Sequence, residues 1–272
     1  MVFDGYDRVV SEARLKKGCV TTEQAENYSL YKENIKKFMV EQYKTANDTV
    51  EWEQCDGHIQ YGIADYDSQF NDQNAVGYTI SQPFGKRLTF IEAHRRMGFG
   101  LAIRTAICMA DDYVWVQQHD WILTSPIPLN ALLNIMQSSK SDPIAPVNYV
   151  CLPAVRTLKY AISAEVIRFP ALRKLTSELK GDYSPEGFPE IKIPLTPLFS
   201  WHDKPHIASS EHYEARVFPS RLAMMRGDFI EDKIGQRAKA QMKEGLVSSI
   251  FIPYLSFKQQ SWPGKPDPGF GL

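Results

Sequence analysis

The chain has 272 residues, enough for one large domain or two small ones, and its 43% hydrophobic and 23% charged content is typical of a globular protein. Its formal net charge of -1 gives no overall basic field, which argues against a general affinity for nucleic acid or for an acidic membrane.

The four cysteines, Cys19, Cys55, Cys108 and Cys151, are far apart and form no CxxC pair, which disfavours a zinc knuckle or a dithiol redox site. We expect free thiols in a reducing compartment, and therefore a cytoplasmic protein. No apolar run reaches the roughly 18 residues that a membrane span needs, so we expect neither a span nor a leader in this sequence. A missing N-terminal segment would leave the secretory pathway open.

The first third of the chain is predicted to hold a short strand, a long helix and an irregular stretch. The run "MVFDGY" predicts a strand that ends at Asp4-Gly5. Residues 21–44 carry apolar side chains at helical spacing, and Thr21 with Gln24 makes a capping box, so we predict a long amphipathic helix there. Residues 53–86 are rich in Gly, Asp, Asn and Gln, which indicates a long irregular loop of the kind that binds ligands or covers a site.

The middle of the chain has the order strand, helix, strand. The runs "RLTFIEA" at residues 87–93 and "YVWVQQ" at 113–118 predict strands, and "GFGLAIRTAICMA" at 98–110 predicts the helix between them. We therefore expect a parallel βαβ unit. The remaining predicted elements are a helix at 128–138, a strand at 147–153, a proline-rich connection with an edge strand at 177–199, a helix at 229–245, a strand at 246–257 and an extended tail at 259–272.

Polar residues interrupt the hydrophobic run "YVWVQQHDWIL" at the predicted carboxyl end of a strand. Open α/β sheets bind ligands at that end of their strands. A carboxylate there suits Mg²⁺ or Mn²⁺, which need only one or two protein carboxylates when substrate phosphates supply further ligands. Asp120 is thus a candidate ligand for a metal ion that binds a diphosphate. The alternative is that Asp120 caps the following turn.

Four short motifs occur in an order that is typical of one enzyme family. They are "VFDG" with Asp4, "GFGLAIR" at residues 98–104, "QHD" at 118–120 and "FIEDKIG" with Glu231 and Asp232. Over residues 3–245 the chain resembles a GT-A glycosyltransferase, of the inverting type that shares the family-2 pattern. One departure stands out, because Gln118 occupies the place of the first acid in the family's D-x-D motif.

The resemblance implies an α/β fold of the GT-A, Rossmann-like kind: a mostly parallel sheet flanked by helices, with a mixed acceptor-binding half. It implies a single domain in which residues 1–125 bind the nucleotide sugar and residues 126–258 bind the acceptor, followed by the extended tail 259–272. In the resembled fold "VFDG" belongs to the second strand. We therefore expect the first βα unit to be missing from this sequence, so that another segment or a partner covers the strand at residues 2–4.

The resemblance also implies a reaction, the transfer of a sugar from a nucleotide-diphosphate sugar to an acceptor hydroxyl with inversion. Asp120 would hold Mn²⁺ or Mg²⁺, which stabilises the leaving diphosphate, and His202 would complete the metal shell. Asp232 would take the proton from the acceptor hydroxyl, and Glu231 would support the acceptor. The alternative is that both acids only complement the start of a helix.

Five further residues are candidates for contact with the two substrates. Asp4 would meet the nucleotide base, and Gln118, with His119 beside it, would hydrogen-bond a ribose or sugar hydroxyl as a neutral group. Trp201 would stack on the acceptor sugar, and His206 would contact the acceptor. The alternative for the last two is a polar loop around a buried tryptophan.

Basic residues near the "GFGLAIR" helix are candidates for phosphate binding. Arg104 lies one turn into the helix and would pair with a phosphate, or else form a surface salt bridge. His94, Arg95 and Arg96 precede the helix and form a small basic cluster near where a diphosphate would lie. A solvated face is the alternative for that cluster.

Two other classes of protein remain open. A nucleotidyltransferase shares the architecture, but it usually carries a glycine-rich basic loop after its first strand, and "DGYDRVVSEARLKKG" lacks that density. A non-catalytic nucleotide- or carbohydrate-binding module remains because Gln118 replaces an acid. Turnover of a sugar nucleotide would separate the transferase from the module, and pyrophosphate release from a nucleoside triphosphate would identify the nucleotidyltransferase.

Overall fold

The structure, a computed structural model, is mixed α/β. It describes residues 1–11, 15–43, 52–62, 74–83, 87–123, 126–143, 146–152, 162–199, 201–243 and 254–257. The elements in chain order are β1 (Val2–Phe3), β2 (Arg8–Val9), β3 (Cys19–Val20), α1 (Thr22–Tyr43), β4 (Trp52–Gln60), β5 (Ala75–Pro83), β6 (Phe90–Ala93), α2 (Phe99–Ile107), β7 (Tyr113–Val116), α3 (Leu129–Ser138), β8 (Tyr149–Cys151), α4 (Ala164–Arg168), α5 (Pro170–Leu179), β9 (Gly181–Tyr183), β10 (Ile193–Leu198), β11 (His206–Ser209), α6 (Ser210–His212), a π-helical turn (Tyr213–Val217), α7 (Ile230–Lys243) and β12 (Tyr254–Phe257).

The chain forms two compact units, and neither is one continuous segment. The first unit consists of Met1–Val114 and Ser210–Lys233, and the second of Trp115–Ser209 and Ile234–Leu272. This division differs from the expected boundary near residue 125, because Ser210–Lys233 returns to the first unit.

A four-stranded sheet in the order β1, β6, β5, β4 forms the basis of the first unit. β1 runs parallel to β6, whereas β6 is antiparallel to β5 and β5 is antiparallel to β4. The strand predicted before Asp4 is confirmed as β1, and among the described strands it lies at the edge of the sheet. Phe3, Val76, Phe90 and Ile91 are among the buried side chains of this sheet.

The prediction of an irregular loop at residues 53–86 is wrong for most of the residues that the structure describes in this range. β4 and β5 pair antiparallel along their whole length, from Trp52 opposite Pro83 to Gln60 opposite Ala75. Nearly every side chain of β4 is exposed, so polar residues suit it. The polar composition therefore reflects a solvated strand face, and composition alone cannot reveal the partner strand.

The predicted long helix and its capping box are confirmed in α1. The backbone N–H of Thr21 donates to Gln24 Oε1 at 3.0 Å, and the N–H of Gln24 donates to Thr21 Oγ1 at 3.1 Å. The helix has no fully buried residue, and two lysines tie it to the sheet. Lys32 Nζ lies 2.7 Å from Glu92 Oε2 on β6, and Lys36 contacts the other oxygen. Burial would raise the pKa of Glu92, but the hydrogen bonds from both lysines outweigh burial and lower that pKa.

The second unit contains a six-stranded sheet in the order β7, β11, β8, β12, β10, β9, with the boundary between the units crossing β7. β8 is antiparallel to β11 and parallel to β12, while β10 is antiparallel to both β12 and β9. Large side chains fill its core, including Tyr149, Leu172, Ile193 and Trp201.

The strand directions differ from the expected mostly parallel sheet. Among the strand pairs whose register the structure describes, five are antiparallel and three are parallel. The predicted βαβ unit is also wrong, since β6 lies in the four-stranded sheet and β7 in the six-stranded one. A strand–helix–strand order indicates which elements follow one another, but long-range contacts decide which strands pair.

Most other predicted elements are confirmed, with shorter bounds. The helices α3 and α7 and the strands β8 and β12 lie within the predicted ranges. In the proline-rich region β9 is an edge strand, but β10 lies inside the sheet between β12 and β9. The tail at 259–272 lies outside the described residues. None of the four cysteines forms a disulfide.

Candidate functional site

The side chain of Asp4 holds the loop after β1 against the start of α2. Its Oδ1 accepts hydrogen bonds from the N–H groups of Gly5 at 2.9 Å and Met97 at 2.5 Å, and its Oδ2 accepts one from Gly98 at 3.0 Å. The Tyr28 hydroxyl donates to the Asp4 carbonyl at 2.6 Å. A carboxylate is favourable beside the N–H groups at a helix start. The residue expected to meet a nucleotide base is thus engaged by backbone N–H groups.

The starts of α2 and α7 fit into each other through glycines. The N–H of Gly227 donates to the Met97 carbonyl at 2.9 Å, and the N–H of Gly100 donates to the Asp228 carbonyl at 3.1 Å. Gly98 and Gly227 both have a φ of 82°, and a Cβ on Gly98 would lie 2.5 Å from the Gly227 Cα. Only glycine allows this backbone conformation and this close approach. Two motifs that are far apart in the sequence therefore meet.

The acid pair of the "FIED" motif lies in the first turn of α7. Asp228 fixes the entry to this helix, since its Oδ2 accepts the Met225 N–H at 2.8 Å and pairs with Lys233 Nζ at 3.1 Å. Asp232 is exposed, and its carboxylate makes no hydrogen bond or ion pair with the described residues. Glu231 is half-buried and does have an interaction of its own. Of the two acids, Asp232 is the one available to a ligand.

A basic cluster surrounds Asp7 in the same unit. Arg226 Nη1 lies 2.5 Å from Asp7 Oδ1, and Arg95 Nε lies 3.8 Å from the same oxygen. Arg226 Nη1 also donates to the Arg96 carbonyl at 3.4 Å. Arg95 and Arg96 are evident as a basic pair in the sequence, whereas no local pattern marks Arg226, which is 219 positions away from its partner Asp7.

A polar cleft of about 320 Å³ lies between α1 and the sheet of the first unit. Its wall includes Tyr6, Tyr28, Lys32, Thr79, Glu92 and His94. Burial, with Asp4 next in importance, raises the pKa of Tyr28, so its hydroxyl stays protonated. Thr79 Oγ1 donates to Asp56 Oδ1 at 2.8 Å and lies 2.9 Å from His94 Nε2. The cleft is therefore lined by a phenol, a lysine and an imidazole, which contact Asp4, Glu92 and Thr79 in turn.

Arg104 has a structural partner in the first unit. Its Nη1 donates to the Gln60 carbonyl at 3.1 Å, which ties α2 to the end of β4. Burial lowers the pKa of Arg104. This hydrogen bond explains the position of the Arg104 side chain without the expected phosphate.

The "QHD" turn in the second unit lies next to the polar segment before β11. Gln118 Nε2 donates to the Asp203 carbonyl at 3.1 Å, and the Trp121 N–H donates to the Gln118 carbonyl at 3.2 Å. Lys204 Nζ lies 4.3 Å from the centre of the Trp121 ring. His119 and Asp120 stay exposed at the tip of the turn. The polar segments around residues 118–120 and 202–206 thus meet.

Trp201 and His206 belong to the core of the second unit. Trp201 has no exposed surface, and its ring centre lies 4.5 Å from that of Tyr149. His206 is fully buried, and its Nδ1 lies 2.5 Å from the Lys204 carbonyl. Burial, opposed by that hydrogen bond, lowers the pKa of His206 to about 4. The expected acceptor contacts of Trp201 and His206 do not agree with this burial, because neither ring can reach a sugar.

The expected metal site has no preformed cage in the described part of the chain. There, no three His, Cys, Asp or Glu side chains come together in a group that could hold an ion. His202 is half-buried, and its carbonyl accepts a hydrogen bond from the Tyr149 hydroxyl at 2.7 Å. Asp120 offers a single exposed carboxylate, which fits a Mg²⁺ or Mn²⁺ ion whose other ligands are water and substrate phosphates.

The ten residues predicted for the site are divided between the two units. Asp4, Arg104, Glu231 and Asp232 lie in the first unit, and Gln118, His119, Asp120, Trp201, His202 and His206 lie in the second. In the ranges that the structure describes, no helix is both long enough and apolar enough to cross a membrane. No protein-family model matches the chain, and neither does any curated protein or solved structure.

Proposed function

We propose that the chain is an inverting glycosyltransferase, which moves a sugar from a nucleotide-diphosphate sugar to an acceptor hydroxyl, and that its mixed α/β fold is a variant of the GT-A arrangement. One observation carries the proposal. Three of the four motifs of the resemblance converge in the first unit, where the carboxylate of Asp4 binds the N–H of Gly98 and the carbonyl of Asp228 binds the N–H of Gly100. The meeting of these distant segments at one place supports the proposal that they contribute to one site.

Asp232 is the base in this proposal. An acceptor hydroxyl must lose its proton as it attacks the anomeric carbon, and a carboxylate within hydrogen-bond reach can accept that proton. The exposed Asp232 carboxylate makes no hydrogen bond or ion pair with the described residues, and its neighbour Lys233 is held by Asp228. Because Lys233 pairs with Asp228, it does not compete with a ligand for the Asp232 carboxylate.

The polar cleft beside β6 is the proposed place of the nucleoside part of the donor. Its phenol and lysine are suited to ribose hydroxyls and to the base edge. Asp4 contributes indirectly, because its carboxylate positions the loop of Gly5 and Tyr6 at the wall of the cleft.

Asp120 is the proposed ligand of a divalent metal in the second unit. A bound Mn²⁺ or Mg²⁺ would stabilise the negative charge that builds on the leaving diphosphate. Gln118 has a fixed place beside it, since its side-chain amide is bound to the Asp203 carbonyl. The neutral amide therefore positions the turn, while the exposed carboxylate of Asp120 remains for the metal.

Donor turnover tests the proposal. The purified chain is incubated with Mn²⁺, a mixture of sugar acceptors and, in turn, UDP- and GDP-sugars, and release of the nucleoside diphosphate is measured. We expect release from at least one donor, and Asp232→Asn should lower the rate by about 10²- to 10⁴-fold while leaving donor affinity unchanged. Asp182→Asn, at an exposed position of β9, is the matched control.

The outcomes separate the competing classes. Donor binding without release by the wild-type chain would support a non-catalytic module. Pyrophosphate release from a nucleoside triphosphate would support a nucleotidyltransferase. Turnover that is equal in Asp232→Asn and Asp182→Asn would disprove the assignment of the base.

A further inference from the structure

The loop between β1 and β2 and the two segments that precede α2 and α7 bring two arginines to one aspartate and a third arginine close to the same glycine as that aspartate. Arg226 and Arg95 both approach the same oxygen of Asp7, at 2.5 Å and 3.8 Å. One carboxylate oxygen thus serves two guanidinium groups. Arginine carries five N–H donors, so a single shared oxygen leaves most of the donors of this pair unused.

Arg96 is the third arginine, and glycines rather than acids position it. A Cβ on Gly227 would lie 2.4 Å from Arg96 Nη1, and a Cβ on Gly18 would lie 3.2 Å from Arg96 Cδ. Both glycines have a positive φ, of 82° and 84°. In the ranges that the structure describes, the Arg96 guanidinium has no hydrogen bond and no ion pair, although the residue is half-buried. The backbone therefore makes room for a cation that has no counter-ion there.

Among the residues that the structure describes, the nearby acids already have other partners. Asp7 is shared by two arginines, Asp4 is bound by backbone N–H groups, and Asp228 is paired with Lys233. A half-buried cation without a partner among the described residues is available to a ligand that supplies the opposite charge. The arrangement is suited to an anion that can accept several hydrogen bonds at once.

We propose that Arg95, Arg96 and Arg226 bind a phosphate or diphosphate group of a ligand directly, without a bridging metal ion. Guanidinium groups match the oxygen spacing of phosphate and donate two hydrogen bonds side by side. The rest of the ligand lies in the polar cleft, because Tyr6 and His94, the neighbours of Asp7 and Arg95 in the chain, line its wall. The site does not depend on sugar transfer, since any ligand with this group and a polar remainder fits.

Metal-free binding of simple phosphates tests the site. The full chain is titrated with inorganic pyrophosphate and, separately, with orthophosphate by calorimetry in EDTA at low salt. We expect Arg96→Gln to bind about 10- to 100-fold more weakly, the usual effect of losing charge-assisted hydrogen bonds. The affinity of Arg96→Lys should lie between those of the wild type and Arg96→Gln, because lysine keeps the charge but lacks the planar guanidinium group. Added salt should weaken wild-type binding.

The matched control is Arg216→Gln, which removes the same charge from an exposed arginine of the first unit. It should bind like the wild type. A preference for pyrophosphate over orthophosphate identifies a diphosphate, such as that of a nucleotide, as the ligand group. The opposite preference identifies a phosphate monoester.

Three results would overturn the inference: no binding of either phosphate by the wild type, binding that requires Mg²⁺ or Mn²⁺, or equal affinity of Arg96→Gln and Arg216→Gln. Circular dichroism verifies the fold of each variant. If Arg96→Gln does not fold, Arg95→Gln is tested in its place. The site is then contradicted if both Arg95→Gln and Arg96→Lys bind the phosphates with wild-type affinity. Sugar transfer without metal-free phosphate binding rejects this site alone, whereas phosphate binding without sugar transfer rejects only the proposed function.

Discussion

Replacing Gly98 by alanine tests the contact between the starts of α2 and α7. The φ of 82° and ψ of 164° at Gly98 belong to a region that only glycine occupies readily, at a cost of about 1–3 kcal/mol for other residues. The new methyl group would also lie 2.5 Å from the Gly227 Cα and 2.8 Å from its N. Overpacking against atoms that cannot turn away adds about 1–3 kcal/mol. We therefore expect Gly98→Ala to lower the free energy of unfolding by about 2–6 kcal/mol.

Gly62→Ala is the matched control for this prediction. Gly62 has a φ of 66°, but its Cβ would meet only the flexible end of Met225, at 3.1 Å. The backbone strain remains, but the Met225 side chain can move to relieve the clash. Gly62→Ala should therefore lower the free energy of unfolding by about 1–2 kcal/mol. Urea unfolding followed by circular dichroism gives both values. If Gly98→Ala costs no more than Gly62→Ala, the close approach of the two glycine segments is not a constraint and the argument for one shared site fails.

Three further outcomes follow from pKa shifts and from the "QHD" turn. Burial lowers the pKa of His206 in the folded state to about 4, below its ordinary 6.5. The unfolded state therefore binds the proton first, and stability should fall as the pH drops from 6.5 to 4. The melting temperature of His206→Phe should fall less over this pH range than that of the wild type, and an equal fall would contradict the burial of His206. Glu92 has a lowered pKa, so its contacts with Lys32 and Lys36 stabilise the fold above its ordinary value of 4.5 and are lost as the pH falls through the folded value. Glu92→Gln should therefore melt lower than the wild type at pH 7 and approach it in acid, and an equal difference at both pH values would argue against the ion pairs. Asp120→Asn should abolish the gain in donor affinity that Mn²⁺ provides, measured by titration with and without the metal, and a retained gain would exclude Asp120 as the ligand.

Local chemistry made several elements predictable. Thr21 and Gln24 satisfy each other's backbone N–H groups whatever the rest of the chain does, so the start of α1 could be read from four residues. The short apolar run before Asp4 likewise gave β1. These features depend on neighbours in the sequence, which the sequence displays directly.

Features set by distant partners could not be predicted in the same way. The polar face of β4 was mistaken for a loop, because only β5 makes it a strand. The local sequence of Trp201 is compatible with a stacking role, and it does not reveal that Tyr149 and His206 pack against this ring. The structural contacts of Asp4 are hidden from the sequence for a similar reason, since its three N–H donors include two that lie more than ninety residues away.

The ion pair between Asp7 and Arg226 has a consequence for biosynthesis, because it joins residues 219 positions apart. When Val114 has left the ribosome, the first unit still lacks Ser210–Lys233. At about 5–20 residues per second, that segment follows roughly 5–20 s later. During this interval Arg226 is not yet present to pair with Asp7, and Gly227 is not yet present to pack against the start of α2. The first unit of the nascent chain is therefore incomplete. Chaperone binding to ribosome-bound chains should therefore persist until residues 210–233 emerge, and a chain cut after Val114 should never complete the unit.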